Sequence, residues 1–100
     1  MITREDVLDM AKKCVCGDRE QDYGSPENNF LTIATFWSNY LNAAFPNSGI
    51  FVLSPADVAN MMILLKISRI ISGNAKDDNW IDIAGYAACG GELTSAKSKS

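Results

Sequence analysis

Apolar residues recur at intervals of three and four along the first part of the chain, a spacing typical of an amphipathic helix. The helix is predicted to begin after Thr3, because Thr3 and Asp6 form an acidic variant of a capping box. Its apolar positions are Val7, Leu8, Ala11, Cys14 and Val15. Gly17 is predicted to end this first helix, since glycine suits a helix C-terminus.

A second helix is predicted after Ser25-Pro26-Glu27, because serine caps a helix and proline is tolerated in the first turn. Its apolar stripe is the clearest in the chain and comprises Phe30, Ile33, Ala34, Trp37, Tyr40, Leu41 and Ala44. Pro46, Asn47 and Gly49 are predicted to end it.

The second half of the chain contains two more predicted helices. Ser54-Pro55-Ala56-Asp57 repeats the cap signal and starts a helix that runs to Gly73-Asn74. This helix is apolar on nearly every side, so we expect it at the centre of the fold or in an oligomer interface. A fourth helix is predicted from Asp77 or Asp78 to Gly90-Gly91, and residues 92–100 are predicted to form a flexible polar tail.

The four helices predict an all-α fold, a small domain like a four-helix bundle over residues 1–91. A chain of 100 residues buries only about 60 to 65% of the surface that its unfolded form exposes, which leaves it marginally stable by itself. We therefore expect a homo-oligomer.

The composition excludes several classes of function. Hydrophobic residues make up 47% of the chain, and the net charge of −3 comes without a basic stripe, which argues against a nucleic-acid partner. The absence of histidine removes imidazole catalysis and most zinc sites, so any metal chemistry must use carboxylates.

The three cysteines, Cys14, Cys16 and Cys89, are expected to be reduced thiols. No signal segment or membrane-length apolar run occurs, so a soluble cytoplasmic protein without a membrane partner is expected.

The polar stretch Gly17 to Phe30 leads into the predicted start of the second helix. The N-terminus of a helix attracts phosphate or carboxylate groups, Arg19 offers a bidentate clamp, and Gly24 permits close approach of a ligand. The candidate ligand-binding residues here are Arg19, Tyr23, Gly24, Ser25 and Asn29. The alternative is structural: Arg19 pairs with Asp22 or Glu20, and Gly24-Ser25-Pro26 is only a turn with a cap.

Further candidates lie on the third and fourth helices. Lys66 and Arg69 either meet phosphate groups, or have a structural role in which they extend along apolar surface or neutralise acids of a neighbouring helix. Asp82 and Tyr86 share a face of the fourth helix, and Asp82 is flanked by apolar residues, which favours a pocket or partner over bulk water. Gly85 is predicted to mark a close helix crossing rather than a ligand.

The stretches "GDREQDYGSPENNFLTIATFW", "SPADVANMMILLKISRI" and "DNWIDIAGYAACGGEL" resemble, in order and spacing, a family of small phage and prophage proteins described as a domain of unknown function. The most specific pieces are Gly17-Asp18-Arg19, Tyr23-Gly24, Asn29-Phe30, Asp57-Val58-Ala59, Leu65-Lys66 with Arg69, and Asp82 to Tyr86. The resemblance implies a helical fold, a phage origin and the cytoplasm of an infected host cell. It implies no particular activity.

A weaker similarity concerns the all-α nucleoside triphosphate pyrophosphohydrolases of the MazG and dimeric dUTPase type, which hold Mg²⁺ with Glu-x-x-Glu and Glu-x-x-Asp on successive helices. Asp57-x-x-Asn60 and Asn79-x-x-Asp82 occupy the analogous places here. Two of the four expected carboxylates are amides, which weakens a magnesium site. The similarity implies Asp57 and Asp82 as metal ligands and Mg²⁺ as the cofactor, if there is one.

Two hypotheses of different classes follow. The first is a binding protein without catalytic residues, which holds a nucleotide or another phosphate-bearing ligand and sequesters a host defence nucleotide signal. The second is a magnesium-dependent pyrophosphohydrolase, and a structural or host-protein-binding accessory protein is a further alternative. The binding protein is favoured, because the loss of carboxylates harms an enzyme more than a receptor.

Overall fold

The computed structural model describes residues 1–18, 26–73 and 76–99, and these contain helices but no strand. Helix α1 is Arg4–Lys13 and passes into a π-helical turn, Cys14–Asp18. Three longer helices follow: α2 is Pro26–Ala44, α3 is Pro55–Ile71 and α4 is Asp77–Lys99. The prediction of an all-α, bundle-like fold is confirmed.

Two helices begin with the capping boxes that the sequence predicts. The Thr3 hydroxyl accepts the N–H of Asp6 at 3.1 Å, and the Asp6 carboxylate accepts the N–H of Thr3 at 3.0 Å. Ser54 and Asp57 repeat this exchange at the start of α3, at 3.1 and 2.8 Å. Each box satisfies backbone donors that the first helical turn leaves without an intrahelical partner.

The core lies where α2, α3 and α4 meet. Its buried side chains are Phe30 and Ala34 from α2, Val58 and Ala59 from α3, and Tyr86 and Cys89 from α4. Helix α1 packs against α4. Each of α2, α3 and α4 supplies two buried residues to this cluster, and partly exposed side chains such as Trp37 and Met62 pack around it.

The connector between α2 and α3 is tied to α2 by side chains. The Asn42 amide brackets the backbone of Phe51: its oxygen accepts the Phe51 N–H at 2.7 Å, and its nitrogen donates to the Phe51 carbonyl at 3.0 Å. The Ser38 hydroxyl accepts the N–H of Leu53 at 2.9 Å. Gly49 turns the chain with φ of +88°, a value that favours glycine.

Two glycines of α4 sit at close helix contacts. A Cβ added at Gly85 would lie 3.0 Å from Cγ1 of Val15, which confirms the predicted close crossing. A Cβ at Gly90 would lie 3.2 Å from the Cβ of Ala59 in α3.

The predicted end of the fourth helix at Gly90-Gly91 is wrong. Helix α4 continues to Lys99, and Leu93 packs against the core. The stabilisation from packing against α3 outweighs the cost of glycine in a helix, which is about 1 kcal/mol for each glycine relative to alanine. The tail predicted for residues 92–100 therefore begins inside a helix.

The predicted end of the first helix at Gly17 also needs correction. The α-helical hydrogen-bonding pattern stops at Lys13, and Gly17 lies within the π-helical turn. The third helix ends close to its predicted boundary, at Ile71, with Gly73 at φ of +96°.

Candidate functional site

A charged recess of about 270 Å³ lies between the second half of α3 and the first two turns of α4. Its lining consists of three cations, two carboxylates and one amide: Lys66, Arg69, Lys76, Asp78, Asn79 and Asp82. We call these six residues the charged cluster. The structure thus brings together three residues that the sequence analysis singled out separately, namely Lys66, Arg69 and Asp82.

An ion pair between helices forms the floor of the charged cluster. The Nζ of Lys66 lies 2.9 Å from Oδ2 of Asp82, and the two side chains are only 13% and 27% exposed. Asp82 thus neutralises Lys66. This pairing corresponds to the structural alternative stated for Lys66, in which it neutralises an acid of a neighbouring helix.

Arg69 and Lys76 are both exposed, and neither forms an ion pair within the part of the chain that the structure describes. Asp78, also exposed, is the remaining carboxylate of the cluster. With Lys66 and Asp82 cancelling each other, the recess keeps an excess of one positive charge.

The position of the recess at the start of α4 adds to this positive character. The first turns of a helix present backbone N–H groups and the positive end of the helix dipole. Asp77 and Asp78 lie in that first turn, and Asn79 is buried at 6% exposure with its N–H donating to the Lys76 carbonyl at 3.0 Å. Asn79 therefore contributes a buried polar side chain to the lining of the recess.

The other predicted site residues are distributed as follows. Tyr86 lies one turn after Asp82 on α4, but it is 8% exposed and its ring packs against Phe30 with centroids 6.3 Å apart. Asn29 is half-buried beside Phe30 at the start of α2, which places this end of α2 near the same part of α4. The remaining candidates, Arg19, Tyr23, Gly24 and Ser25, lie outside the described residues.

The antiparallel register of α3 and α4 separates the two predicted metal ligands. Lys66 faces Asp82 and Ala59 faces Gly90, so the start of α3 lies beside the second half of α4. Asp57 is nine residues before Lys66, which corresponds to about 13 Å along the helix axis. One ion between Asp57 and Asp82 would therefore need these residues from different subunits.

The hydrogen bonds of these two aspartates are consistent with structural roles. Asp57 accepts the N–H of Ser54 in the capping box, and Asp82 pairs with Lys66. Within residues 1–18, 26–73 and 76–99, no group of three Cys, Asp or Glu side chains is arranged to hold a metal ion. Metal binding by Asp57 and Asp82 stays a prediction.

Lys76 and Asp78 were not among the predicted site residues. A signal for Asp78 exists in the sequence, because Asp78 and Asp82 are four residues apart and so share a face of α4. Lys76 precedes the helix and carries no periodic signal. Only the tertiary structure places it beside Lys66 and Arg69.

A second, larger groove of about 530 Å³ runs between the first half of α3 and the second half of α4. It is lined mostly by small residues, with Asn60, Ile63 and Tyr86 as the larger ones. None of the charged cluster lines it.

Among the described helices, none has the length and apolar content needed to cross a membrane.

Comparison with known proteins identifies relatives of this chain. A family model described as domain of unknown function (DUF6378) matches residues 6–94. The Gene 55 protein of Mycobacterium phage D29 is 39% identical over 85 residues, which cover 85% of this chain and 51% of that protein. The Gene 55 protein of Mycobacterium phage L5 is 41% identical over 81 residues, which cover 81% of this chain and 47% of that protein.

The chain thus spans about half the length of the curated relatives it matches. No solved structure matches it.

Proposed function

The chain belongs to the DUF6378 family, which has phage relatives, and we propose that its charged cluster binds the phosphate group of a nucleotide or similar ligand. The observation that carries the proposal is the pair of exposed cations, Arg69 and Lys76, in a recess at the N-terminal end of α4. Arginine suits this task because its planar guanidinium donates two parallel hydrogen bonds to a phosphate.

The size of the recess supports a phosphate rather than a whole nucleotide as the group it encloses. Pockets that enclose a drug-sized molecule measure roughly 300 to 1,000 Å³, and this recess measures about 270 Å³. The phosphate end of the ligand enters the recess, and its remainder extends towards the start of α2. Asn29 lies there, and Arg19, Tyr23, Gly24 and Ser25 immediately precede α2 in the sequence.

Lys66 and Asp82 have different roles in this proposal. Their ion pair keeps the floor of the recess rigid, because it joins α3 to α4 at 2.9 Å. The positive potential that attracts a phosphate comes from Arg69 and Lys76, since Asp82 neutralises Lys66. Tyr86 packs on Phe30 and lines the second groove rather than the recess.

The biological role that we propose is sequestration of a host nucleotide signal used in defence against phage. Its support is the phage origin of the relatives together with the absence of histidine and of a cluster of three metal-binding side chains among the described residues. A protein that only retains its ligand needs cations and a fitted recess, and it does not need a general base.

Isothermal titration calorimetry tests the proposal with inorganic pyrophosphate, linear nucleotides and cyclic dinucleotides as probes. We expect binding tighter than millimolar for at least one phosphate compound, weakened by added salt. Arg69→Gln is expected to raise the dissociation constant roughly 10- to 100-fold, as for the loss of a charge-assisted hydrogen bond.

Arg4→Gln is the matched control, because Arg4 is also an exposed arginine but lies on α1, outside the recess. It is expected to leave binding unchanged. Equal losses in the two variants, or no binding of any probe below the millimolar range, would contradict the proposed site.

A second candidate function is magnesium-dependent hydrolysis of a nucleoside triphosphate. The observation that favours it is the presence of two carboxylates, Asp78 and Asp82, in the same recess as the three cations. Mg²⁺ is often held by one or two carboxylates together with the phosphates of the substrate. Release of pyrophosphate from a nucleotide in the presence of Mg²⁺, abolished in Asp78→Asn, would support hydrolysis; binding without turnover would favour the binding protein.

A further inference from the structure

Helix α3 carries an apolar stripe that no other described helix covers. Its large side chains are Met61, Leu64, Leu65 and Ile71, which are 41%, 63%, 43% and 80% exposed. Positions 61, 64, 68 and 71 follow one another at intervals of three and four, and Ser68 fills the remaining place. This is the spacing of the contact seam in paired helices. We call these five residues the α3 stripe.

The α3 stripe is also uncharged. The two cations of α3, Lys66 and Arg69, line the charged recess against α4. Asp57 lies just before the stripe and its carboxylate is engaged in the capping box with Ser54. A partner surface facing the stripe would therefore have no charge to compensate, as in the apolar centre of a protein interface.

The solvent-accessible surface area of the chain indicates how much area a partner would cover. A compact monomer of 10.9 kDa exposes about 5,600 Å². This chain exposes 7168 Å², and its radius of gyration is 15.1 Å, whereas about 13 Å is usual for 100 residues. The excess is about 1,600 Å², and the exposed apolar side chains that contribute to it lie on all the helices, the α3 stripe among them. Its size falls within the roughly 1,000 to 2,500 Å² that each chain buries in an obligate dimer.

We propose that the α3 stripe is the interface of a homodimer in which the two α3 helices pack antiparallel about a two-fold axis. The size of the excess surface points to a second copy, since most soluble oligomers are symmetric assemblies of identical chains. The antiparallel arrangement follows from side-chain size. With the axis beside Leu64 and Leu65, Met61 of one chain faces Ser68 of the other, so large side chains meet small ones.

A parallel arrangement is less suitable for the same reason. It would place Ser68 opposite Ser68 and leave a void between the bulkier side chains, at the cost that a cavity carries. It would also align the two helix dipoles, whereas antiparallel helices place opposite ends together. This proposal does not depend on the proposed ligand, because the α3 stripe and the charged cluster share no residue.

Analytical ultracentrifugation tests the dimer. The protein is expected to sediment at twice the 10.9 kDa mass of one chain across the micromolar range. Leu64→Glu is expected to raise the dimer dissociation constant roughly 100-fold or more, because each chain would bury an unpaired glutamate against the apolar stripe of the other. Since Leu64 is 63% exposed within one chain, the variant should keep its helical circular dichroism.

Leu8→Glu is the matched control, because Leu8 is 65% exposed but lies on α1. It is expected to leave the dimer intact. A monomeric wild-type protein would overturn the proposal, and so would a dimer that Leu64→Glu leaves unchanged or that Leu8→Glu disrupts equally.

Cysteine cross-linking tests the orientation, in a Cys16→Ser background that removes the exposed native thiol. A mixture of Met61→Cys and Ser68→Cys chains is expected to form disulfide-linked dimers, whereas each variant alone is not. Within one helix, positions 61 and 68 are about 10 Å apart along the axis, too far for a disulfide. Cross-linking of Met61→Cys with itself in place of the mixed product would overturn the antiparallel arrangement.

Discussion

Gly90 of α4 lies against Ala59 of α3, so closely that a Cβ on Gly90 would come 3.2 Å from the Cβ of Ala59. Ala59 is completely buried, with none of its surface exposed. The backbone of α4 at position 90 therefore serves as part of the core surface, and a side chain there would push α3 and α4 apart.

This contact predicts opposite effects for two adjacent glycines. Gly90→Leu is expected to destabilise the protein by about 1 to 3 kcal/mol through overpacking. Gly91→Ala is expected to stabilise it by about 0.5 to 1 kcal/mol, since a Cβ at position 91 meets nothing within 4 Å and alanine favours the helix. Urea denaturation measures both changes, and destabilisation by Gly91→Ala would show that α4 does not continue past this point.

The two hydrogen bonds between the Asn42 side chain and the Phe51 backbone predict that removing this side chain destabilises the protein. Asn42→Ala removes two hydrogen bonds to the backbone of Phe51 and is expected to cost about 1 to 3 kcal/mol of unfolding free energy. Asn39→Ala is the control, because Asn39 is exposed on the same helix and makes no such contact. Equal effects of the two changes would argue against an ordered connector.

The ion pair between Lys66 in α3 and Asp82 in α4 predicts that substitutions of these two residues do not have additive effects on stability. Lys66→Met keeps an apolar stem but leaves Asp82 unpaired, and is expected to cost about 1 to 2 kcal/mol, between the values of surface and buried pairs. In a double-mutant cycle with Asp82→Leu, the second change should recover part of that loss. Lys12→Met, at an exposed position of α1, should have little effect, and purely additive losses in the cycle would contradict the pair.

The three cysteines are expected to react with a thiol reagent at different rates. Cys16 is exposed, Cys14 is half-buried and Cys89 is buried in the core. In the native protein, Cys16 should react first and Cys89 last, with all three reacting together in denaturant. Replacing Cys89 by Ser should remove only the slow phase, and a fast reaction at Cys89 would show that the contact between α2, α3 and α4 opens readily.

The parts of the fold that the sequence predicts correctly depend on neighbouring residues. Thr3 with Asp6, and Ser54 with Asp57, form caps within four consecutive residues, so that no distant contact is needed to recognise them. Gly85 is recognisable because glycine inside an apolar helical pattern has a helix cost that close packing explains. The caps need no tertiary contact, and the contact of Gly85 with Val15 is indicated by the pattern of its own helix.

The errors arise where distant residues decide the outcome. Gly90-Gly91 resembles a helix end, and only its contact with Ala59 and the packing of Leu93 show why α4 continues. Metal binding by Asp57 and Asp82 is a different case, because it stays a prediction. The antiparallel register of α3 and α4 places Asp57 away from Asp82 within one chain and brings Lys66 beside Asp82.

The π-helical turn Cys14–Asp18 constrains the number of residues in this segment. A π turn accommodates one residue more than an α-helical turn, and each residue rotates a helix by about 100°. Removing one residue between Cys14 and Asp18 would let this segment wind as an α-helix and would turn α1 away from α4. The protein should therefore not tolerate the deletion of a single residue from this turn.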